Sequence, residues 1–177
     1  ALAAIAVGLE YKVSIENIKN ALIKFSGVRR RFEVYSNITK NKKNITVIDD
    51  YGHHPTEIEA VIKATKKAYP NKEINLVFQP HRYSRTKDCF DELVRTLQLP
   101  NQVFLFDIYS AGESKIKKIS SANIVKTIKA CKKNNATFLD SFSKAEKVIE
   151  SKIKNNSVVL IMGAGNISNF VNTFLEK

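Results

Sequence analysis

An α/β fold, with a mainly parallel sheet covered by helices on both faces, is predicted by three features of the 177-residue sequence. Short apolar runs rich in Val, Ile and Phe alternate with segments of helical periodicity. Glycine and ionisable residues collect where those runs end. Apolar residues make up 44% of the chain, enough to bury one substantial core. Alternation of this kind favours parallel pairing, because each crossover helix packs back onto a face of the sheet.

Residues 1–10 and 15–25 read as two helices. In the second, Ile15, Ile18, Leu22 and Ile23 recur at helical spacing, Ser14 is placed to cap it, and Gly27 ends the unit. The chain starts without Met inside the first of these helices, so it is expected to be a piece of a longer protein. Residues 28–31, Val-Arg-Arg-Arg, read as a linker. Beyond them, strands are expected at 32–36, 45–49, 74–78, 103–106 and 158–162, with a weak one at 137–139. Helices are expected at 55–68, 86–97, 121–132, 144–153 and 166–175. The division is thus a helical segment (1–27), a hinge (28–31) and an α/β domain (32–177).

Composition narrows the function classes. No apolar run approaches the roughly 20 residues of a membrane span. Residues 1–9 lack the basic start and cleavage-like end of a secretory signal, so a cytoplasmic protein is expected. Cys89 and Cys131 stand in helical patterns without CxxC spacing, which points to reduced thiols rather than zinc or a redox pair. The net charge of +12 comes largely from lysines spread over helix faces, such as Lys63, Lys66, Lys67 and Lys126, Lys129, Lys132, Lys133. No aromatic interleaving accompanies them, so a solvated surface is the better reading than a nucleic-acid interface. Arginine is used differently. Five of the six arginines lie in two clusters, Arg29-Arg30-Arg31 and Arg82/Arg85, where a planar fork suits a carboxylate or phosphate.

In an open parallel sheet, ligands bind beyond the carboxyl ends of the strands. Four strand-to-helix turns are rich in chemistry: Asp50-Tyr51-Gly52-His53-His54, Gln79-Pro80-His81-Arg82-Tyr83-Ser84-Arg85, Asp107 through Tyr109 to Glu113, and Gly163-Ala164-Gly165-Asn166. All three histidines and four of the six glycines fall in these turns. Each has a plainer alternative. Asp49 or Asp50 can cap the following helix, with Asp50 the better site candidate at the open end of its strand. His53 and His54 can ligate a metal, although neighbours in extended chain point apart, so no metal ligand is assigned. Arg82 and Arg85 can grip one carboxylate together, or pair with Asp88 or Glu92 on the surface. Gly163 to Gly165 lacks the third glycine of a dinucleotide loop, since Ser168 stands there, and reads as a tight turn with an anion nearby. Tyr109 can equally be packing.

The segments Val47-Ile48-Asp49-Asp50-Tyr51-Gly52-His53-His54-Pro55-Thr56-Glu57 and Phe78-Gln79-Pro80-His81-Arg82-Tyr83-Ser84-Arg85-Thr86 resemble signature segments of the Mur ligase family. Residues 27–33, 107–113 and 163–167 resemble further family segments in the same order, so the resemblance spans nearly the whole chain. It implies a carboxyl-terminal Rossmann-like domain, preceded by the last helices of a central ATPase domain. It also implies an ATP-dependent ligase of peptidoglycan precursor synthesis that joins L-alanine to UDP-N-acetylmuramate through an acyl phosphate. ATP and Mg2+ are then implied as cofactors, bound mainly by other domains, because no GxxxxGK[ST] loop occurs here. By the same resemblance, Arg31 and Asp50 hold the nucleotide. Tyr51, His53, His81, Arg82 and Arg85 surround L-alanine, with His53 and Arg85 as the catalytic candidates. The alternatives are a peptide-adding member of the family, a basic binding module and a Rossmann oxidoreductase.

Overall fold

Four of the strands contain long runs with no inward/outward alternation of polarity, as expected where both faces are covered. The computed structural model, which describes residues 1–131 and 135–176, bears this out. The strands are β1 (Glu33–Lys40), β2 (Lys43–Asp50), β3 (Ile74–Phe78), β4 (Gln102–Phe106), β5 (Ala136–Leu139) and β6 (Ser157–Met162). They form one sheet in the order β1-β2-β6-β3-β4-β5. Only the β1–β2 pair is antiparallel. The helices are α1 (Leu2–Glu10), α2 (Ile15–Lys24), α3 (Pro55–Ala68), α4 (Tyr83–Asp88), α5 (Phe90–Thr96), α6 (Ser121–Ala130), α7 (Phe142–Lys152) and α8 (Ile167–Leu175).

The period-two alternation of strand side chains divides the core in two. Ile48, Leu76, Phe78, Leu105 and Leu160 face α3, α5 and α6, meeting Ile58, Ile62, Leu93, Leu97, Ile124 and Ile128. Val47, Val77, Phe104, Val159 and Ile161 face α7 and α8, meeting Ile149, Phe170 and Phe174. Phe170 makes ring contacts with Phe106, Phe142 and Phe174 at centroid distances of 5.1, 5.9 and 5.4 Å. β3 and β6 lie side by side although they are distant in the chain, so a crevice opens above their carboxyl ends.

Three expectations change. The segment 32–36 is the start of a longer strand that turns back through Asn41 (φ 46°) and Lys42 (φ 63°) into β2. Two left-handed residues make the two-residue hairpin whose twist matches the strands, and that is why this edge is antiparallel. The helix read at 86–97 begins earlier and is two helices, broken at Cys89 (φ −105°, ψ 19°). The helix read at 121–132 is described only to Ala130, with Lys132 and Lys133 outside the described residues. Not every lysine is a solvated one either. Lys40 is buried and pairs with Glu146 at 2.7 Å, while Lys43 donates to the carbonyls of Glu150 and Ile153 at the end of α7.

Ser14 caps α2 as expected, accepting from the Asn17 amide at 3.3 Å. Neither α1 nor α2 has a buried residue. They pack on each other through Gly8, where an added Cβ would stand 3.1 Å from Ile18 Cδ1. Leu2, Val7, Tyr11, Ile15, Ile23 and Phe25 remain exposed.

These differences in burial set unequal mutational costs. Phe170→Ala is expected to lower the unfolding free energy by about 3–5 kcal/mol, since it opens a cavity between β-sheet and α8. Phe25→Ala, at an exposed position, is expected to change it by less than about 0.5 kcal/mol. Urea denaturation of the two variants checks the contrast.

Candidate functional site

At the end of β2, neighbouring aspartates point to opposite faces. Asp50 Oδ2 accepts the Phe32 amide at 2.9 Å and its Oδ1 accepts the Gly52 amide at 2.7 Å. It is 6% exposed and ties the segment before β1 to the strand end. Gly52 is required there, because an added Cβ would come 2.9 Å from Asp50 Oδ1 and 2.7 Å from Met162 Cε. Asp49, on the other face, lies 3.5 Å from Arg30 Nε. Neither aspartate caps α3. His54 does so, its ring accepting the Thr56 amide while Glu57 returns to the His54 amide at 3.1 Å, with Pro55 opening the helix.

Beyond β3 and β4, strand-like pairing continues into the loops. His81 and Tyr109 form a parallel bridge, Arg82 donates its amide to the Tyr109 carbonyl at 2.8 Å, and Tyr109 donates to the Pro80 carbonyl at 2.9 Å. Arg82 adopts φ 72°, turning the chain into α4. Glu113 fixes that turn by accepting the Ser84 amide at 2.9 Å and hydroxyl at 2.6 Å. Those two bonds hold its carboxyl below the usual glutamate range.

The outcome is a ladder of rings across three strand ends. Tyr51 meets His53 edge-on at 5.7 Å, His53 meets His81 at 5.6 Å, and His81 stacks on Tyr109 at 5.5 Å. Arg30 and Arg31 stand over the Tyr51 ring at 5.0 and 5.4 Å. Arg85 donates to His81 Nδ1 at 3.3 Å. Arg31, Tyr51, His53, His81 and Arg85 therefore share one surface, with Arg82 next to them at the start of α4. Among the described residues no ion pair joins Arg82 or Arg85 to Asp88 or Glu92. An open cavity of about 340 Å³ adjoins the ladder, lined by Gln79, Asp107, Tyr109, Ser110, Ser141 and Asn166. A larger one of about 660 Å³ lies at the opposite ends of the strands, among Lys66, Tyr69, Lys72 and Asn101, away from every histidine.

Protonation follows from the partners. A carbonyl only accepts, so the contact of His53 Nδ1 with the Tyr51 carbonyl at 3.2 Å puts a proton on Nδ1, and in the neutral form of the ring this leaves the lone pair on Nε2. A guanidinium only donates, so His81 Nδ1 is the acceptor of its contact with Arg85. Burial, then the charges of His53, Arg85 and Arg82, push His81 below the ordinary histidine value near 6.5.

Packing shapes the glycine loop. Gln79, buried at the end of β3, donates to Asn166 Oδ1 at 2.8 Å and accepts the Ile167 amide at 3.0 Å, so its side chain occupies the amino end of α8. An added Cβ at Gly165 would meet Gln79 Oε1 at 2.6 Å and Tyr109 Cβ at 2.7 Å. A phosphate bound at the amino end of α8 would have to displace Gln79 from the Ile167 amide, which counts against the oxidoreductase alternative. Sequence reasoning missed Gln79, Glu113 and Arg30 as organising residues. Gln79 and Glu113 were visible only as members of the rich turns, and Arg30 only as a member of the arginine cluster.

Comparison with known proteins agrees with this architecture. Residues 30–165 match the family model described as Mur ligase, glutamate ligase domain. The chain belongs to the Mur ligase family. A relative of this Mur ligase chain, the UDP-N-acetylmuramate–L-alanine ligase of Hydrogenovibrio crunogenus, is 43% identical over 177 residues, covering all of the chain and 38% of its own length. The ligase of the same description from Thermotoga maritima has a solved structure that superposes with a TM-score of 0.76 at 31% identity, covering 99% of the chain and 36% of its own. A murein peptide ligase from Psychrobacter arcticus shares the fold, with a TM-score of 0.69 at 20% identity over 96% of the chain and 34% of its own. The Mur ligase chain thus spans about 38% of the length of such relatives.

Two outcomes follow from this geometry. Gly165→Ala is expected to destabilise the fold by about 1–3 kcal/mol through overpacking against Gln79 and Tyr109, measured by thermal unfolding. The depressed His81 makes stability pH-dependent. Below the unfolded value near 6.5 the unfolded state binds the extra proton, so stability falls as pH drops toward the folded value. Melting temperatures between pH 7.5 and 5 are expected to decline less steeply for His81→Gln than for the wild-type chain.

Proposed function

We propose that this chain is the carboxyl-terminal part of an ATP-dependent ligase that joins L-alanine to UDP-N-acetylmuramate in peptidoglycan precursor synthesis, in the cytoplasm. The observation that carries the proposal is the convergence of Tyr51, His53, His81 and Arg85 from turns far apart in the chain into one ring-lined surface. The 43% identity to a relative described as adding L-alanine supports the choice of amino acid.

A carboxylate is a poor electrophile, and ATP supplies the phosphate that turns it into a leaving-group-bearing acyl phosphate. The amine nitrogen then attacks the acyl carbon, the C–N bond forms, phosphate leaves and the amine loses a proton. Arg82 and Arg85 suit the amino-acid carboxylate, since among the described residues no carboxylate forms an ion pair with either of them. His53, with Nδ1 committed to the Tyr51 carbonyl, offers Nε2 to take the amine proton. His81, held neutral, lets Arg85 keep its orientation without adding a second imidazolium.

The residues also fit a nucleotide. Arg31 is exposed above Tyr51 and suits phosphate, and the lone pairs of Asp50 left over from the two amides suit a ribose hydroxyl. By the family resemblance, Mg2+ is assigned mainly to the remainder of the longer protein and to the ATP phosphates. The exposed apolar α1–α2 pair is read as the end of the preceding ATPase domain, with residues 28–31 as the hinge. Nucleic acid is not assigned as a partner.

The longer protein ending in this chain is expected to release ADP only when both UDP-N-acetylmuramate and L-alanine are present, and the 177-residue chain alone to release none. Arg85→Ala is expected to raise KM for L-alanine by about 10- to 100-fold, the loss of one charge-assisted pair. Coupled ADP-release kinetics test this, and an unchanged KM in Arg85→Ala refutes the placement of the amino acid.

A further inference from the structure

Two adjacent arginines over one tyrosine ring are treated in opposite ways. Arg31 is exposed and makes no ion pair with a carboxylate among the described residues, although its charge is felt at Glu57. Arg30 is held through its backbone and through one arm of its guanidinium. Its amide donates to Glu33 Oε2 at 2.9 Å, and its carbonyl accepts the Tyr51 amide at 2.8 Å. Its guanidinium donates to the Gly163 carbonyl, lies 3.5 Å from Asp49 Oδ2 and covers the Tyr51 ring at 5.0 Å. One residue therefore joins the segment before β1, the end of β2, the glycine loop after β6 and the first ring of the ladder.

The Arg30–Asp49 pair is poorly arranged as a stabilising device. Asp49 is 4% exposed, and both Asp49 Oδ1 and Arg30 Nε are buried without a hydrogen-bond partner. A buried pair with unmet groups gains little over an apolar replacement, so stability alone does not account for it. The backbone at Arg30 is also left-handed, at φ 58°, a conformation that costs energy in a residue with a Cβ. What the arrangement achieves is placement. The planar fork spans carbonyl, carboxylate and ring face at once, which a lysine ammonium on a flexible stem does not reproduce.

We propose that Arg30 is a positioning residue that sets the Tyr51 ring in the site and, by being committed inward, leaves Arg31 as the guanidinium free for ligand. Its consequence for catalysis rests on the reading of Tyr51 as an amino-acid contact. Tyr51 passes its orientation to His53 through their edge-on contact and through the Tyr51 carbonyl that holds His53 Nδ1.

The test uses fluorotyrosine labelling of the full 177-residue chain, with the Tyr51 resonance assigned by Tyr51→Phe. Arg30→Lys is expected to shift the Tyr51 resonance, and Arg29→Lys to leave it unchanged. If Arg30→Lys does not fold, Asp49→Asn serves in its place, since it keeps the shape and removes the charge that holds the guanidinium; the same shift is expected. An unmoved Tyr51 resonance in the folded variant overturns the proposal. In the longer protein, Arg30→Lys is expected to raise KM for L-alanine about tenfold while KM for ATP stays within about twofold. A shifted resonance with an unchanged KM upholds the positioning role and instead removes Tyr51 from the amino-acid site.

Discussion

Parallel hydrogen bonding among β2, β6, β3 and β4 is the constraint on which the site depends. It aligns the carboxyl ends of four strands at one edge, so that each following turn opens in the same direction. Asp50, Phe78 and Met162 are held in register across the sheet, and the turns that leave them carry His53, His81 and the glycine loop. Both faces of these strands are buried, and a one-residue slip would exchange the side chains facing α3 and α8. The register is therefore secured by core packing before any polar contact at the edge is considered.

Given that edge, the polar residues divide into those the fold uses and those it leaves open. Gln79 fills the amino end of α8, Glu113 holds α4, His54 and Glu57 cap α3, and Asp50 grips two backbone amides. These contacts satisfy backbone groups that helices and turns would otherwise leave without partners. Arg31, Tyr51, Arg82 and Tyr109 remain on the surface. Rigidity under the ladder and exposure above it is the arrangement a preorganised binding surface requires.

The alternation of strands and helices was legible because strand and helix periods differ and both faces of a central strand must be apolar. The turn residues were legible as a group because chemistry-bearing side chains are rarely spent where only a loop is needed. Some boundaries were not. Nothing local distinguishes an expected single helix over 86–97 from the observed pair broken at Cys89, and the earlier start of α4 is held by Glu113, 29 residues from Ser84 in the chain. The strand at 32–36 was read short because its continuation is half exposed and its hairpin uses Asn-Lys, a weak turn signal.

The sequence by itself determined the class of fold, the edge where function collects and the family, since all three rest on patterns that are local or linear. Tertiary structure alone decided which of two aspartates faces inward, which of three arginines is locked, and that a glutamine stands where a dinucleotide fold keeps a phosphate. The physical reason is that those choices depend on partners more than 15 residues away: Asp50 with Phe32, Arg30 with Gly163, Gln79 with Ile167. No local propensity encodes such a pair until the sheet has brought its members together.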